Sequence, residues 1–504
     1  MTVYGWEDAK GDRNLECDVV IVGTGPGGAA MARVLAEGGK RVILLEEGPH
    51  QSRFQKNQAN TMRYHMQEGG AMVAFGSAAV GVAAGRGVGG GSLVNSAICW
   101  RTKDHVLESW EAVLGGDKRF APDAMLPVYA ELEVPLGIIQ TKEAIAGENN
   151  KLIVRGARAL GLNADLLWRN TPGCVGCGAC NYGCPSGGKA SVDKNLIPMA
   201  RAHGAIVQGD TKVERILIEN GRARGVVGVV RETESGRAVG STTVRAEKVI
   251  LCAGAVGTPR LIQYAGLGDT LGDRVGKGLH LHPGNGIFGL CDTEVRMWTG
   301  ATQGAYFSDP NLPNVLPHTL TLPPAALLMA LGNTGEAAKR DIALAPFIAG
   351  CLVMVSDKGS GTVGVTKEGR ADLKYWFADE DIVNIKAGLK RTCEVLMAGG
   401  CKKLLVPITG AGWTENINDA FAAIEGAAIT DYKGLYAAHP MATCRMGTDI
   451  SNSVIGPNGE AHGLKGLYIA DSSIFPTSLG VNPQYTTMAM STILGRGILA
   501  DWAA

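Results

Sequence analysis

Near the N-terminus the chain reads Cys17-Asp-Val-Val-Ile-Val-Gly23-Thr-Gly25-Pro-Gly27-Gly28, and this stretch decides the fold. The continuous β-branched run before Gly23 is typical of a parallel strand that is buried on both faces. The glycines that follow lead into an apolar-periodic stretch over residues 29–36 and a second apolar strand over residues 41–45. This order matches the G-x-G-x-x-G fingerprint of a dinucleotide-binding βαβ unit. The stretch therefore predicts an α/β fold built on a Rossmann-type domain.

Each part of this loop has a separate physical task. Gly23 makes the tight turn, Gly25 lets the backbone approach a pyrophosphate, and Gly28 permits close packing of the helix on the strand. The N-terminus of the helix favours the phosphate charge. Glu46 closes the second strand 23 residues after Gly23, where a carboxylate accepts hydrogen bonds from ribose hydroxyls. The motif predicts a bound dinucleotide without deciding between NAD and FAD.

Composition excludes several classes of protein. A chain of 504 residues exceeds what one compact core usually supports, so two domains are expected. Lys plus Arg and Asp plus Glu are 48 each, so no basic face for nucleic acid or anionic lipid is implied. Gly is 71 of the 504 residues, about twice the ordinary usage, and it follows no repeat.

The first 16 residues are polar and charged, with no apolar core of a signal peptide. No apolar stretch is long enough to span a membrane. We therefore expect a cytoplasmic protein, with partner-assisted export to the periplasm as the alternative. Twelve cysteines in a reducing compartment favour metal or redox use of a cysteine cluster over structural disulfides.

Four of the cysteines form one run, Cys174-Val-Gly-Cys177-Gly-Ala-Cys180-Asn-Tyr-Gly-Cys184-Pro. The spacing C-x2-C-x2-C-x3-C-P is the one that bacterial ferredoxins use for an iron–sulfur cluster. We predict that all four thiolates bind such a cluster and favour the 4Fe-4S form over 3Fe-4S, although in two-cluster ferredoxins the fourth cysteine serves the other cluster. A structural zinc site, or a loop of reduced or disulfide-forming cysteines, remains the alternative. The other eight cysteines lie among apolar neighbours and are expected in the core.

Three motifs stand close together near the C-terminus. They are His439-Pro-Met-Ala-Thr-Cys-Arg-Met-Gly, Leu467-Tyr-Ile-Ala-Asp471-Ser-Ser-Ile-Phe-Pro and Gly480-Val-Asn482-Pro483. Asn482 as N-cap and Pro483 at the first helical position predict a helix over about residues 483–499. A helix N-terminus aimed at a cofactor would stabilise negative charge, such as that on a reduced flavin.

With these motifs, two further stretches resemble the glucose–methanol–choline (GMC) family of FAD-dependent oxidoreductases. They are Gly85-Arg-Gly-Val-Gly-Gly90-Gly-Ser92-Leu-Val-Asn95 and Cys252-Ala-Gly-Ala-Val-Gly-Thr258-Pro, and the resemblance runs from about residue 15 to the C-terminus. It implies a discontinuous Rossmann-type FAD-binding domain plus a substrate domain with a mixed or antiparallel sheet. The corresponding ranges are 15–100, 195–291 and 434–504 for the FAD-binding domain, 101–171 and 292–433 for the substrate domain, and 172–194 for a cysteine-rich insert.

The resemblance also implies the chemistry, which is oxidation of an alcohol CH–OH by hydride transfer to flavin N5. His439 matches the histidine that takes the hydroxyl proton, and Asn482 matches the partner that hydrogen-bonds the substrate oxygen. No histidine stands within residues 85–95, so FAD is expected to be bound non-covalently. Beyond the first loop, the positions that match flavin contacts are Gly90, Ser92, Asn95, Val213, Asp471, Asn482 and Pro483.

Three functions follow as hypotheses. In the first, electrons pass from the flavin through the iron–sulfur cluster to a one-electron acceptor protein or an additional subunit. In the second, the chain is an alcohol oxidase that uses O2, and the cysteines are structural or bind zinc. In the third, it is a flavin-dependent lyase or isomerase without net redox change, because a fold does not fix a function. A small-molecule alcohol is the expected substrate of the first two.

The middle of the chain gives weaker signals. Strands are expected over residues 350–355 and 361–365, with Gly359-Ser-Gly361 as a hairpin signal between them, and a helix over residues 381–398. The apolar, Pro-rich stretch over residues 312–331 is expected to be a loop, which either packs on the core or acts as a lid or contact surface. His280 and His282 are expected to be structural.

Overall fold

The computed structural model describes residues 3–51, 54 and 57–503. Its strands are β1 Gly11–Val22, β2 Val42–Leu45, β3 Met72–Gly76, β4 Val80–Val82, β5 Ile139–Gln140, β6 Asn163–Leu166, β7 Trp168–Arg169, β8 Ile206–Gln208, β9 Thr211–Glu219, β10 Arg222–Arg231, β11 Ala238–Leu251, β12 Lys277–Leu279, β13 Gly284–Leu290, β14 Ala305–Ser308, β15 Val315–Thr319, β16 Ile348–Val355, β17 Ser360–Val365, β18 Ala371–Trp376, β19 Lys403–Leu405, β20 Tyr436–Ala437 and β21 Leu467–Ile469. The α-helices are α1 Pro26–Glu37, α2 Gln58–His65, α3 Asp104–Val113, α4 Pro122–Leu136, α5 Glu143–Ala146, α6 Glu148–Ala159, α7 Leu196–Ala202, α8 Gly254–Tyr264, α9 Gly268–Leu271, α10 Pro324–Leu331, α11 Gly335–Leu344, α12 Asp379–Gly399, α13 Ile417–Gly426 and α14 Gln484–Ala503.

The first sheet contains the predicted dinucleotide-binding unit. Its strand order is β8-β2-β1-β11-β10-β9, and β21 also pairs with β11. Strands β8, β2, β1, β11 and β21 are parallel, and β10 pairs antiparallel with both β9 and β11. The end of β1, residues 19–22, is buried; α1 packs on β1 and β2, and α7 and α14 pack on α1. The loops at the carboxyl ends of the parallel strands are where such sheets bind ligands.

The second sheet is mixed and forms the other layer. Its order is β12-β17-β18-β3-β4-β20-β13-β16-β15-β14-β6, with β19 also paired to β13. Helices α6 and α12 pack on it and bury Leu389, Cys393 and Leu396 with the inner face of β16. The predicted fold class, a Rossmann-type domain beside a mixed-sheet domain, is confirmed.

Two local predictions were wrong. Strands β16 and β17 form, but they are not neighbours, because β16 lies between β13 and β15 whereas β17 pairs with β12 and β18. Gly359 therefore ends a connection between two strands that are not neighbours in the sheet. A methyl group on it would lie 2.4 Å from the Trp376 carbonyl oxygen. The stretch over residues 312–331 is not a loop, since it forms β15 and α10. Within the described ranges, no helix is long and apolar enough to cross a bilayer.

Candidate active site

A cavity of about 560 Å³ lies between the two sheets. The side that we call the glycine wall is formed by the cavity residues within 22–98, 211–261 and 471–472. The opposite side, which we call the histidine wall, is formed by those within 282–354, 433–440 and 482–487. The cavity thus opens at the carboxyl ends of β1 and β2, where the predicted dinucleotide loop stands.

Glycines let the loops of the glycine wall come into backbone contact. Gly23 has a φ of +101°, and a Cβ there would lie 2.3 Å from the Cys252 carbonyl oxygen, so no other residue fits. Gly90 has a φ of +52°, and its Cβ would lie 2.6 Å from the Cα of Gly25. At Gly91, by contrast, a Cβ would meet no atom within 4 Å, and this residue lines the cavity. The first and second glycine loops therefore leave a backbone-lined cradle, which fits a dinucleotide.

Glu46 holds these loops together. Its buried carboxylate accepts hydrogen bonds from the Thr24 N–H at 3.0 Å, the Thr24 hydroxyl at 2.9 Å, and the N–H groups of Gly48 and Gly87 at 3.0 Å each. Burial raises the pKa of Glu46, and the three backbone N–H groups oppose that effect. The predicted contact of Glu46 with ribose stays a prediction. Four donors of the protein already bind the two carboxylate oxygens, so a ribose hydroxyl would compete with them.

Most of the other positions predicted to contact the flavin line the cavity, and two do not. Gly90, Asn95, Val213, Asp471, Asn482 and Pro483 all line the cavity. Asp471 is buried and accepts from the Gly254 N–H at 2.9 Å and the Thr258 hydroxyl at 2.6 Å, which fixes the start of α8. Ser92 does not line the cavity; its hydroxyl donates to the Gly89 carbonyl at 2.7 Å. Gly28 lies behind the loop, packed against Gly23.

His439 and Asn482, predicted as the catalytic pair, lie together on the histidine wall. His439 Nε2 is 3.0 Å from Asn482 Nδ2, on the residue that precedes Pro483 at the start of the last helix. The other ring nitrogen of His439, Nδ1, is 3.2 Å from Nδ1 of His282. His282 Nε2 in turn accepts a hydrogen bond from the Gly480 N–H at 2.9 Å. The sequence-based view of His282 as purely structural overlooked this contact.

A buried carboxylate stands behind this pair. Asp357 accepts hydrogen bonds from the Leu281 N–H at 2.9 Å, the Tyr375 hydroxyl at 2.8 Å and the Ser478 hydroxyl at 2.7 Å. Burial alone would raise the pKa of Asp357, but the hydrogen bond and charge of His280 hold it well below its usual range. Asp357 therefore remains ionised and fixes the backbone that carries His282.

The histidine wall holds a third imidazole, His318 on β15. It is 2% exposed, and within the described residues neither of its ring nitrogens has a hydrogen-bond partner. Burial and the neighbouring His282 lower the pKa of His318 to about 4, and the Asn482 side chain opposes this shift. Burial also lowers the pKa of His282 to about 4 and that of His439 well below its usual value. All three rings are therefore neutral at neutral pH.

Much of the remaining surface of the histidine wall is apolar, although Gln303, Thr321 and Gln484 also line it. Strands β13 and β16, the segment over residues 320–322 and helix α10 supply its apolar part, and α10 is anchored by Leu327 and Leu331 in a small separate core. The stretch over residues 312–331, for which a role as a lid was one hypothesis, thus contributes directly to the cavity. The apolar cavity residues of this wall are Phe288, Leu320, Leu322, Ala326, Ala330, Leu352 and Met354.

The cysteine run borders the cavity through Asn181 and Tyr182. Within the described ranges, no group of three or more His, Cys, Asp or Glu side chains is arranged to hold a metal ion. The residues therefore do not fit a cluster in this arrangement, and the predicted ligation by Cys174, Cys177, Cys180 and Cys184 has no support from the geometry.

Cys180 has cationic neighbours instead. Its Sγ accepts a hydrogen bond from Nη2 of the buried Arg169 at 3.1 Å. Burial would raise the pKa of Cys180, but the charges of Arg169 and Lys189 lower it. Lys189 is also buried, and its Nζ donates to the carbonyl oxygens of Leu93 at 2.7 Å, Asn95 at 3.0 Å and Cys180 at 2.9 Å. Lys189 thereby ties the cysteine run to the second glycine loop.

Comparison with protein families gives a consistent result. A family model described as GMC oxidoreductase matches residues 62–284, a second one with the same description matches residues 360–491, and a model described as FAD binding domain matches residues 16–80. An uncharacterised GMC-type oxidoreductase of Mycobacterium tuberculosis is 34% identical, over 94% of this chain and 74% of that protein. The long-chain-alcohol oxidase FAO3 of Arabidopsis thaliana is 29% identical, over 94% of this chain and 67% of that protein.

Solved structures share the fold. The pyridoxine 4-oxidase of Mesorbium loti superposes with a TM-score of 0.71 at 19% identity, covering 95% of this chain and 98% of that one. A formate oxidase superposes with a TM-score of 0.72 at 15% identity, covering 98% and 99% of the two chains. At these identities the likeness shows the fold alone.

Proposed function

The chain belongs to the GMC oxidoreductase family, and on that basis we propose that it oxidises the CH–OH group of an alcohol to a carbonyl with FAD as cofactor. The observation that carries this proposal is the pair His439 and Asn482, 3.0 Å apart on the wall that faces the glycine cradle. When bound, FAD supplies the acceptor for a hydride. The two side chains offer hydrogen bonds to the alcohol oxygen, and a neutral imidazole of this wall takes its proton.

The glycine wall would hold the cofactor. The pyrophosphate fits at the N-terminus of α1, where Gly25 and Gly27 line the cavity and the helix dipole favours negative charge. The backbone of Val213 and the Asp471 segment border the same space. The start of the last helix, at Asn482 and Pro483, brings a second positive helix end to the opposite side of the cavity.

We propose a hydrophobic alcohol as substrate. Beside its histidines, Asn482 and a few other polar side chains, the histidine wall offers apolar side chains that include Phe288, Leu320 and Leu322. Such a surface gains free energy by burying alkyl or ring carbons and offers few partners to the many hydroxyls of a free sugar. The names of two relatives, the long-chain-alcohol oxidase FAO3 and a cholesterol oxidase of Acinetobacter baumannii, agree with this substrate class.

We propose O2 as the electron acceptor. Several relatives are named as oxidases, and no group arranged for a metal relay stands within the described residues. A second candidate is a dehydrogenase that reduces another acceptor by way of the cysteine run. Its support is that the run borders the cavity and that two buried cations, Arg169 and Lys189, face Cys180 and would suit an anionic group.

The test uses the FAD-loaded protein in two stages. Anaerobic mixing with 1-decanol should bleach the flavin absorbance and yield decanal, whereas glucose at the same concentration should not. A flavin that no alcohol bleaches would contradict the proposal and favour a lyase or isomerase. The variant Asn482→Ala should bleach about 10²-fold more slowly, while Asn418→Ala, on the exposed start of α13, should match the wild type.

Admitting air separates the acceptors. Stoichiometric O2 uptake during turnover supports the oxidase. Absence of uptake, together with iron and acid-labile sulfide at about four per flavin, supports the dehydrogenase and a cluster. In that case the variant Cys177→Ser should keep alcohol-dependent bleaching and lose reduction of an added one-electron acceptor.

A further inference from the structure

Two buried cysteines that are 110 residues apart in the chain meet at the end of β13. Cys291 directly follows β13, and Cys401 lies between α12 and β19. Their sulfur atoms are 3.3 Å apart, and among the described residues no other pair of cysteine thiols shares a hydrogen bond. The two residues are 7% and 2% exposed, and the adjoining Asp292 and Gly400 are exposed. The pair therefore lies just beneath the surface.

The strands around the pair bring the two sulfur atoms together. Strands β13 and β19 are antiparallel, and the Lys402 N–H donates to the Leu290 carbonyl at 2.7 Å. Gly289, two residues before Cys291, adjoins the same sulfur, because a Cβ on Gly289 would lie 2.4 Å from Sγ of Cys401. The sulfur of Cys401 thus fills the space of a missing side chain beside Cys291.

The two sulfur atoms need little movement to form a bond. The sulfur–sulfur bond of a disulfide is about 2.05 Å long, so they have to approach by about 1.3 Å. Small rotations about the two Cα–Cβ bonds cover that distance. The backbone on both sides is held, since the Cys291 N–H donates to the Phe347 carbonyl and the Cys401 N–H to the Leu396 carbonyl, each at 3.0 Å. A disulfide therefore leaves the sheet in place.

The surroundings make Cys291 the more reactive of the two thiols. The hydrogen bond from Cys401 and the charge of Arg155 lower the pKa of Cys291, although burial and two acidic neighbours oppose this. The same hydrogen bond, together with burial, raises the pKa of Cys401. Arg155 is fixed near the pair, because its Nη2 donates to the Gly399 carbonyl at 3.0 Å. The thiolate is the form that reacts with oxidants, so oxidation should begin at Cys291.

We propose that Cys291 and Cys401 are a redox site, at which hydrogen peroxide converts the two thiols into a disulfide. The Cys291 thiolate attacks one oxygen of the peroxide, the O–O bond breaks, and Cys291 becomes a sulfenic acid while the first water leaves. The sulfur of Cys401 then attacks that sulfur, the S–O bond breaks, and the second water leaves as the S–S bond forms. The two thiols give up two electrons and two protons, which the peroxide takes up.

The disulfide would stabilise a large part of the second sheet. It would close a loop over residues 292–400, which contains β14 to β18, α10 to α12 and, on the histidine wall, His318, Leu320 and Leu322. A cross-link over a long loop restricts the unfolded chain and so favours the folded one. Oxidation of an alcohol with O2 would produce peroxide in the same protein, and only this source of the oxidant rests on the proposed function. The site would thus protect the histidine wall during turnover.

The test uses the FAD-loaded protein, which is reduced with dithiothreitol, freed of it and treated with added hydrogen peroxide. Remaining thiols are alkylated in urea, and tryptic peptides are separated without reduction. We expect the peptides over residues 278–296 and 392–402 to be linked. Because Cys393 lies in the same peptide as Cys401, fragment spectra identify the bonded sulfur. The thermal unfolding midpoint should rise by about 3–5 °C on oxidation.

Matched variants show whether the pair itself is responsible. Cys291→Ala and Cys401→Ala should each abolish both the link and the rise in the midpoint. Cys393→Ala, which removes a fully buried thiol of α12, should keep both. Full alkylation of Cys291 and Cys401 after peroxide treatment, or a rise that persists in Cys291→Ala, would overturn the proposal. A link that forms with added peroxide but not during turnover with 1-decanol in air would support the redox site and contradict O2 as the acceptor.

Discussion

On the glycine wall, protein donors surround the buried carboxylates of Glu46 and Asp471. On the histidine wall, both ring nitrogens of His318 and the amide oxygen of Asn482 have no hydrogen-bond partner among the described residues. The difference separates two kinds of buried polar group. Satisfied groups hold backbone in place and so prepare a shape for a cofactor. Unsatisfied groups cost free energy in the empty protein and recover it when a substrate supplies the missing bond. The comparison supports our proposal that the glycine wall binds the cofactor and the histidine wall carries the chemistry.

The largest effect should come from breaking the backbone contact of the glycine wall. Gly23→Ala would place a methyl group 2.3 Å from the Cys252 carbonyl at a φ of +101°, so we expect a loss of more than about 3 kcal/mol in the free energy of unfolding and no retained FAD. Gly91→Ala, whose methyl group meets nothing within 4 Å, is the control and should fold normally. Urea unfolding measures the stability of each variant, and the flavin content after gel filtration measures how much FAD it retains. Equal stability of the two variants would show that the contact is not rigid.

Removing one charge from the glycine wall should have the next largest effect. Glu46→Gln leaves N–H groups facing an NH2 group, and the expected cost is about 2–3 kcal/mol in the free energy of unfolding. Its neighbour Glu47, which is half-buried and pairs with Arg86 and Arg260, is the matched control, and Glu47→Gln should cost under about 1 kcal/mol. The comparison is made by urea unfolding of the apoprotein. A Glu46→Gln variant as stable as Glu47→Gln would mean that Glu46 is not a structural group.

The histidine wall should make stability depend on pH. His282 and His318 have a pKa of about 4 in the folded protein against an ordinary value of 6.5. Between those values the unfolded chain binds protons that the folded chain excludes, so stability falls as pH drops from about 6.5 to about 4 and is unaffected by these groups above that range. His318→Gln should reduce the loss between pH 7 and 4.5 by roughly 2 kcal/mol. His105→Gln, which removes an exposed histidine, should leave the loss of stability between pH 7 and 4.5 unchanged. A wild-type loss equal to that of His318→Gln would place the His318 pKa near its ordinary value.

The smallest effect should come from the apolar part of the histidine wall. Leu322→Ala removes buried carbon surface worth about 1 kcal/mol, so KM for 1-decanol should rise roughly fivefold while KM for ethanol stays the same. Leu126→Ala, at a half-exposed position on α4, should change neither constant. Steady-state kinetics with alcohols of increasing length measure the difference. An equal change for both alcohols would indicate that the chain of the substrate does not lie against Leu322.

The two walls also differed in how far the sequence predicted them. The glycine wall is local, since Gly23, Gly25, Gly28 and Glu46 all act within one strand–helix–strand unit whose spacing follows from its geometry. The histidine wall is assembled by sheet order, which places β13 and β15 on either side of β16. His439 and Asn482 were found through motifs of the family resemblance. His318 has no motif around it, and its position depends on pairings between strands far apart in the chain.

The cysteine run shows what the spacing of residues in a sequence does not predict. Its spacing identifies residues of a suitable type within 11 positions, but spacing does not fix where side chains point. The thiol of Cys180 accepts a hydrogen bond from Arg169 on β7, and its carbonyl oxygen accepts one from Lys189, which follows the run. Neither partner belongs to the ferredoxin pattern. The apolar stretch over residues 312–331 was misread for a related reason, because prolines at its start and within β15 obscured a strand that lies inside a large sheet.

The three hydrogen bonds of Lys189 have a consequence for motion. One ammonium group binds carbonyl oxygens of the second glycine loop and of the cysteine run, although the nearer partner is 9 residues away and the farthest 96. If either segment moved outward alone, the buried ammonium group of Lys189 would lose hydrogen bonds. The two segments should therefore open as a single cooperative unit. In native-state hydrogen exchange, amides of residues 89–95 and 180–190 would then share one opening free energy. Bound FAD, by slowing exchange in the first segment, would slow it equally in the second.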